Sequence, residues 1–499
     1  MTKLLLDEIF SGSPVLPLGK PFRISGQTTP NSQVTGSGAN QIVQTNSDNI
    51  GNFCLRFNPV FTKKVDFKIE SSDVVCKITI QFGQVFLFSG QSNIEFRLRD
   101  SQTYQETLND FPELTAYYFE TPQIEYVDEM GNKTPSNMLP GQWQKITPEN
   151  CGLMSAVAFY AIAEIQRQNP GLIIGVVDCY KGGTSASSWL PNDVLMKHPR
   201  LVERFIKPYK KAIAGKDKAD FDEENLAYRA SVNQHNKKLE EFLSRNPKVS
   251  LSDAKKTVGH TPWPPPMQPT SFLRPGGLFD TMVTQIIPYT FNQMVWYQGE
   301  NDADNPDVYT ELLRTLITTW RSRLYDDSLP VSLIQLPAYE DEPDFAWAKI
   351  RQAELKVALN LPYVNLISII DTGDRHNIHP IDKKQIGLRI GKLLNGPKKT
   401  TPIPKIQEWS TERLVIRVPG VTNLIVKGVP EFEILLNGHL DKVIAKVVDN
   451  YIIINSDFDE VSYQYQNYTQ PTIFDENCLP LAAVKLKKSA DQYGLGITD

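Results

Sequence analysis

Along the first stretch of the chain, to about residue 84, apolar side chains recur at every second position. Examples are Val65-Asp66-Phe67-Lys68-Ile69 and Lys77-Ile78-Thr79-Ile80-Gln81-Phe82, with turn residues between such runs. Period-two patterning predicts short strands with one wet face, so residues 1–84 read as an N-terminal β-domain. At Val85-Phe86-Leu87-Phe88 the alternation gives way to a continuous apolar run ending in Ser89-Gly90, as expected of a strand buried on both faces. Cys151 to Arg167 then carries apolar residues at helical spacing and stops at Asn169-Pro170-Gly171. Strand-like and helix-like segments keep alternating. Gly171 to Val177 is followed by Gln293 to Trp296, a helix near Val308 to Leu324, Val331 to Gln335, a helix near Phe345 to Leu359, Asn365 to Ile370, and a last helix after Pro380. Such alternation predicts an α/β domain over residues 85–403, a parallel sheet with helices on both faces.

Two segments depart from that rhythm. Residues 197–269 form a charged, helix-prone interval closing with Trp263-Pro264-Pro265-Pro266, which reads as an insertion into the α/β domain. Beyond residue 404, period-two runs return at Leu414 to Val418, Glu433 to Leu436 and Tyr451 to Ile454, and predict a C-terminal β-sandwich-like domain over 404–499.

Length agrees with two or three domains, since 499 residues exceed what one hydrophobic core usually covers. A formal net charge of -5 supplies no positive field to gather nucleic acid. No apolar run approaches the roughly 20 residues of a membrane span, so neither nucleic acid nor membrane is an expected partner. The odd number of scattered cysteines, 5, argues against a disulfide framework. With an N-terminus unlike a signal peptide, this leads to the expectation of a cytoplasmic protein. Oligomeric state has no signature in the chain.

In open α/β sheets ligands bind beyond the carboxyl ends of the strands, so the loops after the buried runs deserve the closest reading. Gly90-Gln91-Ser92-Asn93 places a small hydroxyl after a sharp turn. Lys181-Gly182-Gly183-Thr184-Ser185 has glycines that let backbone N–H groups approach a ligand, as an oxyanion hole requires. Trp296-Tyr297-Gln298-Gly299-Glu300-Asn301-Asp302 crowds amides and carboxyls at a third strand end, and His376-Asn377-Ile378-His379-Pro380 brings two of the six histidines to a fourth. Taken singly, the first two are more simply a turn and a loop, loop polarity explains only part of the third beside its bulky aromatics, and the fourth suits a general base better than a metal site. The other histidines, His198, His235, His260 and His439, read as surface residues, and no spacing here suits a metal site. In order, however, a serine, a glycine loop, polar amides and a histidine supply the parts for acyl transfer, and no Gly-x-x-x-x-Gly-Lys segment points to phosphoryl transfer.

These blocks resemble the sialate O-acetylesterase family of the SGNH hydrolase superfamily. The blocks that match are Gly-Gln-Ser-Asn at 90–93, Gly-Gly-Thr at 182–184, Trp-Tyr-Gln-Gly-Glu at 296–300, and Ile-His-Pro at 378–380 followed by Lys383 and Lys384. Leu4 to Gly26, Arg274 to Asp280 and Tyr463 to Val484 are similar to family stretches as well, so the likeness covers nearly the whole chain. It implies an SGNH-hydrolase-like α/β fold with Ser92 as nucleophile and His379 as base. The Ser92 and Gly183 N–H groups and the Gln298 amide would form the oxyanion hole. Asn301 is a rival for the last place, because Gly299-Glu300-Asn301-Asp302 also resembles a Gly-x-Asn-Asp block of the superfamily. Superfamily members commonly carry an aspartate three residues before the histidine, where this chain has His376. The resemblance therefore leaves Glu300 as first choice to orient His379, then Asp374 or Asp371, or a backbone carbonyl in a Ser-His dyad.

The implied reaction is hydrolysis of O-acetyl groups on carbohydrates without cofactor or metal. O-acetylated sialic acid is the first substrate and acetylxylan or another sugar acetate the alternative. Arg274 or Arg375 could meet a sialic acid carboxylate, although structural salt bridging is the plainer reading of both. A catalytically dead carbohydrate-binding protein is the contrary reading. A lipid esterase or thioesterase fits poorly with the polar rim at 297–301.

Overall fold

The computed structural model describes residues 4–127, 133–135, 141–247, 249, 251–259, 261–410 and 412–487, so His260 lies outside the described residues. The chain divides into two compact units, one of 1–123, 135–186 and 281–499, the other of 124–134 and 187–280.

The first unit is built on one long strand, β1 (Val74–Gly90). Its first half alternates between buried and exposed positions and pairs antiparallel with Lys64–Ser71; its second half is almost wholly buried. That buried half lies between β4 (Ile174–Tyr180) and β5 (Gln293–Tyr297), both parallel to it. The change of pattern at Val85 is thus a change of surroundings along one strand. The boundary expected between residues 84 and 85 is corrected accordingly, because a strand can pass from a half-wet sheet into a covered one without a break.

With β2 (Ala116–Glu120), β3 (Gln144–Lys145), β6 (Val331–Gln335) and β7 (Val364–Ser368), the strand order is β3-β2-β4-β1-β5-β6-β7, and only β3 runs antiparallel to its neighbour. The α/β class is as expected, in a mixed sheet. The chain moves from β1 to β4 in one direction and through β5, β6 and β7 in the other. Right-handed crossovers therefore put the connecting helices on opposite faces and make the carboxyl end of β1 the switch point.

Helix α2 (Ala156–Gln168) packs against α5 (Lys384–Asn395), and α3 (Pro306–Arg323) against α4 (Ala346–Asn360). The first pair approaches closely because α5 presents glycine. A Cβ at Gly387 would meet Tyr160 Cβ at 2.5 Å, and one at Gly391 would meet the Ala161 carbonyl at 2.4 Å.

Among the described residues the C-terminal strands form two four-stranded antiparallel sheets and a two-stranded one within the same unit. Buried Arg351 of α4 anchors them by donating to the Gln466 and Asn467 carbonyls, and Asn467 Oδ1 accepts from Trp347 N at 3.1 Å. The second unit, 187–280, is wider than the expected insertion and includes 124–134. It contains the helix Lys218–Arg245, started by a capping box between Asp217 and Asp220, with only Phe221 and Leu239 buried. Among the described residues no helix is long and apolar enough to cross a membrane.

Candidate active site

Tyr180 and Tyr297 both stand in register with Gly90, so the loops after β4, β1 and β5 leave the sheet at one level. Gly90 has φ +140° and sits where a Cβ would meet the Tyr297 carbonyl at 1.9 Å, so the chain can turn there only as glycine. Gln91 N then donates to that carbonyl at 3.1 Å, and Ser92 opens the short helix α1 (Ser92–Glu95). As the first residue of a helix its N–H has no intrahelical acceptor and remains available to a ligand.

His379 reaches this serine from the far end of the sequence, with Nε2 2.7 Å from Ser92 Oγ. Its loop is held locally. Asp374 Oδ1 accepts from His376 N at 3.0 Å and Asn377 N at 2.8 Å, and Asn377 Oδ1 accepts from His379 N at 3.0 Å. The following helix begins at Lys384, four residues beyond Pro380 and later than the sequence suggested.

Asn93 ties the two loops together. Fully buried, it donates through Nδ2 to the Ile378 carbonyl at 3.0 Å and to Glu300 Oε1 at 2.7 Å. Its Oδ1 accepts from Lys383 Nζ at 2.6 Å. One amide beside the nucleophile therefore fixes the residue before the base and separates a buried carboxyl from a buried amine. Burial pushes the Glu300 carboxyl up to about 7, against the Asn93 hydrogen bond, and pulls the Lys383 ammonium down to about 7.

The glycine loop is placed by Glu95, whose Oε2 accepts from Gly182 N at 2.5 Å. A Cβ on Gly182 would come within 3.2 Å of Ser92 Cβ, and Gly183 has φ +67°, so both positions favour glycine for separate reasons.

Two expectations change here. Glu300 makes no hydrogen bond to His379: Oε1 is taken by Asn93, and Oε2 is buried with no hydrogen-bond partner among the described residues. The alternatives are engaged elsewhere, Asp374 in its own turn and Asp371 in a two-pronged pair with Arg389 at 2.6 and 2.7 Å. Gln298 has no free donor. Its amide gives one hydrogen bond to Asp302 Oδ2 at 2.7 Å and another to the Thr184 carbonyl at 3.2 Å, while Oε1 accepts from Tyr309. The rival, Asn301, is exposed, and its backbone N donates to Gln91 Oε1 at 3.2 Å. Arg274 and Arg375 pair with Asp280 at 2.5 Å and Glu340 at 2.7 Å, the salt-bridged reading of both.

Asp302 was also missed as an organiser. It is fully buried, accepts from Ser185 Oγ at 2.6 Å and Ala186 N at 2.8 Å, and so joins the loops after β4 and β5.

Residues 268–394, which include Gln298, Glu300, Asn301 and His379, match the family described as carbohydrate esterase, sialic acid-specific acetylesterase. Mouse sialate O-acetylesterase is 25% identical over 388 residues, 68% of this chain and 61% of that protein. The rat sialate O-acetylesterase is 23% identical over 385 residues, 68% of this chain and 62% of that protein. The chain is related in sequence to the sialate O-acetylesterases. It spans about three fifths of the length of these curated relatives, 61% and 62%. Among solved structures, a carbohydrate acetylesterase from Xanthomonas citri superposes with a TM-score of 0.72 at 19% identity, covering 98% of this chain and 100% of its own. That likeness is one of fold.

Proposed function

We propose that this protein is a serine esterase that removes O-acetyl groups from carbohydrates, with O-acetylated sialic acid as its first substrate. The observation that carries this reading is the 2.7 Å contact between Ser92 Oγ and His379 Nε2 at the switch point of the sheet. An alcohol is a weak nucleophile, and a base at hydrogen-bond distance is what activates it. We assign the parallel sheet and its four strand-end loops to the SGNH-hydrolase type on the order of those loops, and place the protein in the cytoplasm on its cysteine usage.

In the first half-reaction His379 Nε2 takes the Ser92 proton as Oγ bonds to the acetyl carbonyl carbon, and the oxyanion is met by the Ser92 and Gly183 N–H groups. The intermediate collapses to acetyl-Ser92 as the imidazolium returns the proton to the departing sugar oxygen. Water, deprotonated by the same imidazole, then releases acetate and restores Ser92. Orientation of His379 falls to its own loop, fixed through Asn377, Asp374 and the Ile378 carbonyl, and no step is assigned to Glu300 as its acid. Asn301 is the side-chain donor assigned to the oxyanion in place of Gln298.

Ser92→Ala should abolish hydrolysis of 4-nitrophenyl acetate; wild-type turnover in that variant refutes the assignment. Loss of one oxyanion donor costs about 10²- to 10³-fold in kcat, the penalty expected for Asn301→Ala. Gln298→Ala should act only through its buried partners Asp302, Thr184 and Tyr309 and cost no more than about tenfold. The opposite ranking returns Gln298 to the oxyanion hole. Comparing acetate release from 9-O-acetyl sialic acid with release from acetylated xylo-oligosaccharides tests the substrate, and faster release from the latter replaces sialate by xylan.

A further inference from the structure

The C-terminal sheet carries a second recess, on strands that hold neither Ser92 nor His379. It is a groove of about 320 Å³ lined by Glu431, Glu433, Lys442, Ser462, Tyr465 and neighbouring glutamines and threonines. We propose that it is a binding subsite for neutral saccharide units.

Its polar groups are partly committed and partly open. Lys442 Nζ pairs with Glu431 Oε1 at 2.7 Å, and Gln466 Nε2 donates to Glu433 Oε1 at 2.7 Å. Among the described residues the second carboxylate oxygens of Glu431 and Glu433 and the Ser462 hydroxyl make no hydrogen bond, leaving acceptors and a hydroxyl for a polyol. The charged lining is two carboxylates against one ammonium, and Lys485, whose Nζ lies 5.5 Å from the Tyr465 ring centroid, is itself paired with Glu460, so the recess favours an uncharged sugar over one bearing a carboxylate.

An aromatic ledge stands beside these groups. Tyr465 lines the groove, and the Phe345 ring lies nearly parallel to it, at 20° and 6.3 Å between centroids. Phe345 is 53% exposed. It adopts φ +60°, and Gln464, next to Tyr465, adopts φ +56°. Left-handed backbone is costly for a bulky side chain, and such conformations gather at ligand clamps. A flat apolar face next to fixed carboxylate oxygens suits a sugar ring, which offers C–H groups on one side and hydroxyls at its edge.

The test titrates the full chain calorimetrically with xylohexaose and cellohexaose, unacetylated and so inert to the esterase site, and with 3′-sialyllactose. Binding of a neutral hexasaccharide with Kd about 0.1 to 1 mM, and no binding of sialyllactose in that range, is expected. Tyr465→Ala and Glu433→Ala should each weaken binding at least about tenfold, while 4-nitrophenyl acetate hydrolysis stays at the wild-type rate. Ser462→Ala, a milder change, should weaken it in the same direction if the other variants fold poorly. Absence of binding, undiminished binding in all three variants, or equal binding of sialyllactose overturns the proposal. Esterase activity is read separately, so a failure here leaves the assignment of Ser92 untouched.

Discussion

Arg97 and Lys383 both bring a cation into the protein close to the strand-end loops, on opposite sides of β1, and their surroundings differ. Arg97 meets its acid directly, with Nη1 2.9 Å and Nη2 2.7 Å from the two oxygens of Glu120. Burial opposes its charge, but Tyr180 and the hydrogen bonds and charge of Glu120 together outweigh that and hold its pKa above the usual value. Among the described residues Lys383 has no carboxylate in contact; the neutral Asn93 amide stands between it and Glu300. Burial therefore lowers the pKa of the amine and raises that of the acid, each to about 7. A direct arginine pair is a fixed element, whereas an amine and an acid held apart by an amide can change charge near neutrality.

The largest effect is expected at the amide itself. Asn93→Leu keeps the volume but leaves Lys383 Nζ, Glu300 Oε1 and the Ile378 carbonyl without their shared partner. Stranding a buried charge costs on the order of 3 to 5 kcal/mol, so the urea midpoint should fall far below wild type. Because the Ile378 carbonyl precedes the base, kcat should drop by about 10²-fold or more with KM nearly unchanged. Asn93→Asp, which accepts from Lys383 but cannot donate, should keep part of the stability and still lose kcat. A loss under about 1 kcal/mol for Asn93→Leu would mean that the two clusters are equivalent after all.

Next comes the pH dependence, where the sign separates the two sides. Between pH about 7 and 10.5 the unfolded Lys383 retains a proton that the folded one has released, so stability rises with pH across that window. Glu300 acts in the opposite sense below it. Its folded carboxyl holds a proton from about 4.5 to 7 that the unfolded one has lost, so stability falls over that range. Asp178, beside Arg97 and Glu120 and likewise raised to about 7 by burial, adds to the falling limb only. Denaturation of Lys383→Met from pH 7 to 10 should therefore lose a rise on the order of 3 kcal/mol, while Glu300→Gln flattens the acid side. A rising limb that survives Lys383→Met would assign it to some other group.

These differences explain what could be read in the chain. Ser92 and His379 were legible because both follow buried apolar runs, and a parallel sheet delivers such loops to one edge whatever lies between them. The shift from alternating to continuous apolar residues at Val85 was legible too, since burial sets that pattern, but it marks surroundings and not a boundary. Gln298 and Glu300 were misread for one reason. Their side-chain types announce a donor and an acid, yet the partners that use them, Asp302 four residues on and Asn93 from another strand end, are fixed by side-chain direction on either side of the tight turn at Gly299. Asn93 stood within a recognised block and Lys383 just beyond another, with no spacing to say that both would be buried.

The smallest change sharpens the other side of the comparison. Arg97→Lys keeps a cation beside Glu120 but replaces a two-pronged contact, supplemented by donation to the Leu153 carbonyl, with a single ammonium. A loss of about 1 to 2 kcal/mol is expected, since one charge-assisted bond is given up and the other kept. More telling is its dependence on pH. If the lysine retains direct contact with Glu120, its loss of stability should be the same at pH 7 and pH 9, because direct pairing holds the charge in place. A loss that shrinks at pH 9 would mean that residue 97 has become titratable like Lys383, and that burial governs both cations more than the choice between direct and amide-mediated pairing does.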